Sequence, residues 1–260
     1  MNISIDETSI DDFERQGVVL LSSLIEPELV ERLRAATDKA LMRSENYFRR
    51  LRVWETDLDC REACLASAAP AAAAKLLRTR KINLFYDQVF TKPAGAPATP
   101  WHNDQPYWPV RGWPVVTVWL ALDEVTFDSG PLEFIAGSHR WDRWFRPFIA
   151  ASDGAVEAVS PELDAEYEPL PDFDAEREQH TILCWEMQPG DALAFHALAV
   201  HGARNNSAAH PRRGYAMRFT GAGTEYYLGP GVNPRITNPA LVPGDPMDSD
   251  QYPVAYRTEG

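Results

Sequence analysis

Apolar positions in the first eighty residues recur at helical spacing. Leu29, Leu33 and Ala36 lie three or four positions apart with charged residues between them, and Pro27 stands where the first turn of a helix tolerates proline. This spacing predicts a helix over residues 27 to 43.

Two further elements are predicted in the same region. Gly17 indicates the end of a short helix, and the apolar run Val18–Leu21 directly after it indicates a strand. An Ala-rich run over residues 61–79 predicts a further helical stretch, interrupted or restarted at Pro70.

The pattern changes at Lys81 to short runs of β-branched and aromatic residues separated by Pro, Gly and Asp. These runs predict strands at residues 82–91, 115–122, 132–135, 181–187, 192–195 and 215–220. Strands of this length between turn residues favour an antiparallel sandwich or small barrel, with the early helices against one outer face. The predicted fold class is mainly β with flanking helices.

One domain over residues 1–260 accounts for this order of elements. Residues 1–80 would form a mostly helical flank, 81–220 the core and 221–260 an irregular tail rich in Pro and Gly. The acidic segment 141–180 interrupts the strand pattern, and we expect it to be either a lid over a site or a poorly ordered loop.

Composition narrows the possible partners. Hydrophobic residues make up 45% and charged residues 24% of the chain, as in an ordinary soluble protein. The net charge is −13 and the basic residues form no patch, which argues against nucleic-acid binding. The chain shows neither a secretory signal nor a run long enough to span a membrane, and Cys60, Cys64 and Cys184 fit reduced thiols. We therefore expect a cytoplasmic protein that binds neither nucleic acid nor a membrane.

Two stretches carry candidate metal ligands. His102 and Asp104 are two positions apart, so on an extended strand both would face the same side and could chelate one ion. His201 follows an apolar stretch that is predicted to be a strand, and Gly202 permits a tight exit. If the two strands are neighbours, two histidines and one carboxylate leave three coordination positions open, which suits Fe(II) and O2 chemistry.

A cation follows the second stretch. Arg212 stands eleven positions beyond His201, at the start of the next predicted strand. Its guanidinium could bind a carboxylate through two parallel hydrogen bonds.

Taken together, in this order and at these separations, the motifs resemble the phytanoyl-CoA dioxygenase-like branch of the Fe(II)/2-oxoglutarate-dependent oxygenases. The resemblance runs from about Gly17 to about Thr220. It is carried by residues 17–20, by 99–104 with Tyr107 and Trp108, by 118–122 followed by 130–139, and by 201–202 followed by Arg212.

The resemblance implies a double-stranded β-helix core, the jelly roll also found in cupins, with iron held by His102, Asp104 and His201. It also implies that 2-oxoglutarate chelates the iron and pairs its far carboxylate with Arg212. Arg213 is the competing candidate, because alternation lets only one of the two face inward. The implied activity is oxidation of an unactivated C–H bond of a small molecule, with 2-oxoglutarate and O2 converted to succinate and CO2.

Four more residues are candidates for the pocket. Gln88 and Thr117 would flank the cosubstrate, and Trp108 and Trp119 would border the substrate. For each of these residues, an ordinary structural role as a sheet-facing or covering side chain is an equal alternative.

In halogenating relatives a small residue replaces the carboxylate ligand, so the presence of Asp104 favours hydroxylation, or another oxidation such as desaturation or ring formation.

Several polar residues are interpreted as structural. Residues 137–139 are typical of a turn after a core strand, and His180, His196 and His210 have no spaced partner. Glu133 could orient a metal ligand through a hydrogen bond, or it could be an exposed or turn-bonded carboxylate.

Two other function classes stay open: a zinc-dependent hydrolase on the same three ligands, and a non-catalytic jelly roll that binds a small ligand. The acidic composition and four aromatic residues expected near the mouth of the core suggest a cationic or aromatic substrate. These residues are Trp101, Tyr107, Trp108 and Trp113. No basic cluster is apparent for the phosphates of a CoA thioester.

Overall fold

The computed structural model describes residues 5–43, 49–150, 156–158 and 166–258. Within these residues four helices precede the main strands. They are α1 (Glu7–Gln16), α2 (Pro27–Met42), α3 (Leu58–Leu65) and α4 (Ala68–Leu76). The predicted helix at 27–43 is thereby confirmed, as is the short helix before Gly17, whose left-handed φ of 81° ends α1.

Fifteen strands follow one another through the described residues. They are β1 (Val18–Leu21), β2 (Arg49–Leu51), β3 (Lys81–Lys92), β4 (Thr99–His102), β5 (Val110–Arg111), β6 (Val115–Ala121), β7 (Leu132–Ile135), β8 (Phe148–Ala150), β9 (Val156–Ala158), β10 (Ile182–Cys184), β11 (Ala192–His196), β12 (His201–Ala203), β13 (Arg212–Gly221), β14 (Glu225–Tyr226) and β15 (Val254–Arg257).

Two antiparallel sheets form the core. The large sheet has the order β1-β11-β6-β13-β3-β15, with β2 also paired to β3, and the small sheet has the order β10-β7-β12-β4. Phe134 of the small sheet packs against Phe195 of the large one, with ring centroids 5.0 Å apart. The sheets therefore face each other as a double-stranded β-helix, and the predicted fold class is confirmed.

The helices cover the outer face of the large sheet. Leu33 and Ala36 of α2 share one buried cluster with Val118, Leu120 and Met217 of the sheet. Alternation sends these strand residues outward, so the strands that carry them are buried on both faces. This explains why β6 is apolar almost throughout and why nearly every residue of β13 is buried.

Some predicted elements are wrong in detail. The Ala-rich run is broken at Ser67, which caps α4, and not at Pro70, which lies inside the first turn of α4. The apolar residues before His201 form a turn, not a strand. The predicted strand 181–187 shortens to β10.

The tail is less irregular than predicted. Much of it consists of turns, but β15 pairs with β3 and so extends the large sheet. Tyr226 and Tyr252 from the tail are buried against Phe85 and Trp108 of the core. The tail therefore closes one end of the space between the sheets.

The described flanks of segment 141–180 pack on β4. The Trp101 indole donates to Asp174 at 2.9 Å, and the Asn103 amide donates to the Arg143 carbonyl at 2.8 Å. Residues 151–155 and 159–165 lie outside the described residues, so the choice between lid and loop stays a prediction. No helix of the described chain is long and apolar enough to cross a bilayer.

Candidate active site

His102, Asp104 and His201 meet between the two sheets. His102 and His201 are direct partners in the β4–β12 register, and their ring centroids are 4.2 Å apart. The Asp104 Oδ1 atom lies 3.7 Å from His102 Nε2 and 4.0 Å from His201 Nε2. All three ligand atoms lie within 4.8 Å of one another, a spacing at which they could hold one metal ion.

Backbone carbonyls fix the orientation of both imidazoles. His102 Nδ1 lies 2.9 Å from the Pro100 carbonyl, and His201 Nδ1 lies 3.0 Å from the Ala199 carbonyl. A carbonyl only accepts, so Nδ1 carries the proton and Nε2 is the nitrogen that can bind a metal. Burial, with a smaller effect from His102, lowers the pKa of His201 to about 4 and keeps this ring in the neutral, metal-binding form.

Asp104 reaches the histidines by a route that differs from the predicted one. His102 is the last residue of β4, whereas Asp104 lies beyond the strand with helical φ and ψ of −78° and −38°. Its backbone N–H donates to the Ala197 carbonyl at 2.9 Å. Strand alternation therefore does not place the carboxylate; a turn held by the loop before His201 does.

Ser138 supports the other side of this loop. Its hydroxyl accepts a hydrogen bond of 2.8 Å from the backbone N–H of Val200, the residue before His201. The motif 137–139 was correctly interpreted as a turn, since Gly137 is left-handed with φ 74°. Its role in positioning His201 was missed, because no local pattern reveals a contact between residues 62 positions apart.

Arg212 faces the interior and Arg213 faces away. Arg212 is 2% exposed, its guanidinium lies 4.9 Å from the Trp119 ring, and its Nε and Nη1 atoms have no hydrogen-bond partner. Arg213 binds Asp123 at 2.7 Å and Asp38 at 2.9 Å. Burial lowers the pKa of Arg212 to about 10, so its charge persists at neutral pH without an acid beside it. Such a buried cation fits an incoming carboxylate.

The pocket candidates on the large sheet lie in cross-strand rows. Gln88 and Trp119 both pair with Ala216, and all three therefore point to the same face of the sheet. The indole Nε1 of Trp119 is buried without a hydrogen-bond partner. In the next row, the Thr117 hydroxyl lies 3.4 Å from the Asp104 carboxylate and donates to it. The structure brings Thr117, Trp119 and Gln88 to the inner face.

Trp108 and Trp101 lie elsewhere. Trp108 is 2% exposed within an aromatic cluster with Phe85 and Tyr86. Trp101, expected near the mouth, packs on Phe173 on the other face of β4 from His102. The expectation for Trp101 is therefore wrong, because the strand alternation that turns His102 inward turns Trp101 outward.

Glu133 is no partner of the metal ligands. It pairs with Gly202 on the outer face of the small sheet, and its carboxylate accepts from Arg177 at 2.9 Å and from Arg204 at 2.7 Å. These two arginines hold the pKa of Glu133 below its usual range against the opposing effect of burial. Glu133 ties surface elements together.

A comparison with family models decides the assignment. The model described as phytanoyl-CoA dioxygenase matches residues 13–214, which include the histidines, Asp104 and Arg212. The chain belongs to the phytanoyl-CoA dioxygenase family. It is a non-haem Fe(II)- and 2-oxoglutarate-dependent oxygenase, and the expected family, cofactors and enzyme class are confirmed.

Other members of the family are distant in sequence. An ectoine dioxygenase from Nocardia farcinica is 26% identical over 234 residues, which cover 81% of this chain and 76% of that protein. An L-proline trans-4-hydroxylase from Streptomyces griseoviridis is 35% identical over 124 residues, 44% of this chain and 45% of the other.

Solved structures share the fold of this family member. The 2-oxoglutarate-dependent carbocyclase SnoK from nogalamycin biosynthesis superposes with a TM-score of 0.76 at 19% identity, over 96% of both chains. EctD from S. alaskensis, with 2-oxoglutarate and 5-hydroxyectoine, gives a TM-score of 0.70 at 19% identity, over 95% of this chain and 87% of that one.

Proposed function

We propose that His102, Asp104 and His201 hold Fe(II) and that Arg212 binds the far carboxylate of 2-oxoglutarate, for the oxidation of a small molecule. One arrangement of side chains carries this proposal. Two imidazoles and one carboxylate converge with their metal-binding atoms facing each other, and a buried guanidinium without a partner lies on the same interior face.

The chain's own residues orient and enclose the reactants. The Pro100 and Ala199 carbonyls hold the imidazoles in the tautomer that binds metal, and Thr117 holds Asp104. The unpartnered Trp119 indole supplies a hydrogen-bonding group beside Arg212, and Gln88 supplies another in the same cross-strand row as Trp119. Aromatic side chains such as Phe134, stacked on His201 at 5.6 Å, keep water from the metal side. Bound Fe(II) with 2-oxoglutarate and O2 supplies the oxidising chemistry.

Hydroxylation is the outcome that this ligand set supports best. The Asp104 carboxylate occupies the third protein position, as in the facial triads of non-haem oxygenases. A zinc hydrolase needs the triad but gives no reason for a buried, unpartnered Arg212. A simple binding protein would not need imidazoles whose Nδ1 atoms are held by backbone carbonyls.

The free cysteines fit a cytoplasmic setting, which stays a prediction from the sequence.

An anaerobic optical titration tests the assignment. Purified protein receives Fe(II) and then 2-oxoglutarate, and wild type is compared with His102→Ala and Arg212→Ala. We expect a visible charge-transfer band that needs both additions, vanishes in His102→Ala and needs more 2-oxoglutarate in Arg212→Ala. Absence of the band in the wild type would refute the proposed site and favour the hydrolase or binding function.

A further inference from the structure

A second buried arginine lies beside the metal-binding triad. Arg218 stands six positions after Arg212 on β13, so alternation turns both guanidinium groups to the interior face. In the register, Arg218 pairs with Thr117 on one side and with Tyr86 on the other. The Thr117 hydroxyl in turn donates to the Asp104 carboxylate. Arg218 is thus next to the reaction centre.

Aromatic rings enclose this guanidinium without using its N–H groups. Its Cζ atom lies 4.5 Å from the Tyr86 ring centroid and 5.6 Å from that of Trp108. Stacking on ring faces satisfies the charge in part but leaves the in-plane donors free. The side chain is 7% exposed, and its Nε and Nη1 atoms are buried without a hydrogen-bond partner.

Other arginines of the described residues have the carboxylate partner that Arg218 lacks. Arg177 and Arg204 share Glu133, and Arg213 binds Asp123. No carboxylate of the described residues lies within 4.0 Å of Arg218, and only Arg212 resembles it in burial. An unpaired buried cation is costly to fold, so its retention at a reaction centre indicates an anionic ligand that arrives from outside.

One cosubstrate does not account for both cations. Six residue steps along the extended strand separate the Cα atoms of Arg212 and Arg218 by about 20 Å. Under the proposed function Arg212 takes one carboxylate of 2-oxoglutarate and the metal takes the other end. The donors of Arg218 then remain for a second anion.

We propose that Arg218 binds a carboxylate of the substrate, and that this enzyme therefore oxidises a small carboxylic acid. The inference rests on the proposed function, because it assigns Arg212 to the cosubstrate. It replaces the expectation of a cationic substrate, which a buried guanidinium beside the metal would repel. Trp108 then acts through Arg218, as one of the two rings between which the guanidinium is positioned.

A minimal carboxylate probes the site without knowledge of the substrate. The protein, loaded with Mn(II) and saturating 2-oxoglutarate, is titrated with fluoroacetate or with the neutral fluoroacetamide, and binding is followed by fluorine NMR relaxation. Saturation with 2-oxoglutarate blocks Arg212, so the probe reports the remaining cation. We expect the wild type to bind fluoroacetate and to relax its fluorine strongly because of the nearby metal, and to bind fluoroacetamide at least tenfold more weakly.

Variants separate the two arginines. Arg218→Gln should weaken fluoroacetate binding at least tenfold and change the 2-oxoglutarate affinity by less than twofold. Arg218→Lys, which keeps the charge but loses the planar fork, should give an intermediate affinity and covers the case in which Arg218→Gln fails to fold. Arg111→Gln is the matched control, because Arg111 also stacks on aromatic rings, those of Tyr227 and Trp144, but is exposed.

Three outcomes would overturn the inference: no fluoroacetate binding by the wild type, equal binding of fluoroacetate and fluoroacetamide, or loss of fluoroacetate binding in Arg212→Met but not in Arg218→Gln. The last outcome would place the probe in the cosubstrate pocket. Failure of the proposed function itself looks different, since Mn(II) binding measured by electron paramagnetic resonance would then be the same in wild type and His102→Ala.

Discussion

Arg212 and Arg213 are neighbours in the chain, yet their guanidinium groups lie on opposite faces of β13. Arg212 is buried beside Trp119 without an acid partner, whereas Arg213 is bound by Asp123 and Asp38. The same alternation that makes the pair ambiguous in the sequence gives the two residues different tasks. One is available to a ligand, and the other fastens the sheet to α2.

This relationship predicts different effects for the same substitution. Arg212→Met should raise the KM for 2-oxoglutarate about 100-fold, because a charge-assisted double hydrogen bond worth about 3 kcal/mol is lost. Arg213→Met should leave that KM within twofold and lower the free energy of unfolding by about 1 kcal/mol. Steady-state kinetics and urea unfolding measure both. Equal effects on KM would mean that neither arginine is the specific anchor.

Gly214 makes room for Trp119 in the pocket. A Cβ atom at position 214 would lie 2.6 Å from Trp119 Cζ2 and 2.9 Å from Cε2. Gly214→Ala should therefore displace the indole and lower kcat/KM at least tenfold while metal binding is retained. The double variant Gly214→Ala/Trp119→Phe removes both clashing atoms. Its unfolding free energy should exceed that of Gly214→Ala alone, and strictly additive losses would contradict the proposed contact.

Ser138 and Glu133 offer a matched pair of tests for ligand positioning. Ser138→Ala removes the acceptor for the N–H of Val200 beside His201, and we expect Fe(II) affinity to fall about tenfold. Glu133→Gln weakens the ion pairs with Arg177 and Arg204 on the outer face, so it should lower stability and leave Fe(II) affinity unchanged. Competition with a chelator measures both affinities. A large loss in Glu133→Gln would restore its role as an orienting residue.

Asp87 makes stability depend on pH. Burial raises the pKa of its carboxyl to about 7, although Tyr215 donates to it at 2.8 Å and the Trp54 N–H at 3.0 Å. A carboxyl whose pKa is higher in the folded than in the unfolded protein binds more protons when folded. Its contribution is therefore fully present below about pH 4 and is lost as the pH rises to 7.

Asp87→Asn should remove this dependence. The difference in unfolding free energy between variant and wild type should change by an amount on the order of 4 kcal/mol between pH 4 and pH 8, in favour of the variant at high pH. Urea unfolding at several pH values measures it. The variant Asp123→Asn is a useful contrast, because Arg213 lowers the pKa of Asp123 and the sign of its pH dependence should be opposite.

The sequence by itself determined the fold class and the chemistry of the site. The β-branched and aromatic runs of β3, β6 and β13 and the helical period of α2 are local patterns, because strand and helix geometry favour them within one segment. The spacing of His102, Asp104, His201 and Arg212 was sufficient to identify a family, because metal and carboxylate binding restrict the residue types that can serve.

Only the tertiary structure decided which side chains share the site. Asp104 reaches the histidines through a turn held by Ala197, and Arg218 joins them through a register with Thr117 and Tyr86. Trp101, one of four aromatic residues expected near the mouth of the site, points away from it. Such outcomes depend on contacts between residues far apart in the chain. Burial without a partner, the property that distinguishes Arg212 and Arg218 from the surface arginines, exists only once both sheets and the tail have closed around them.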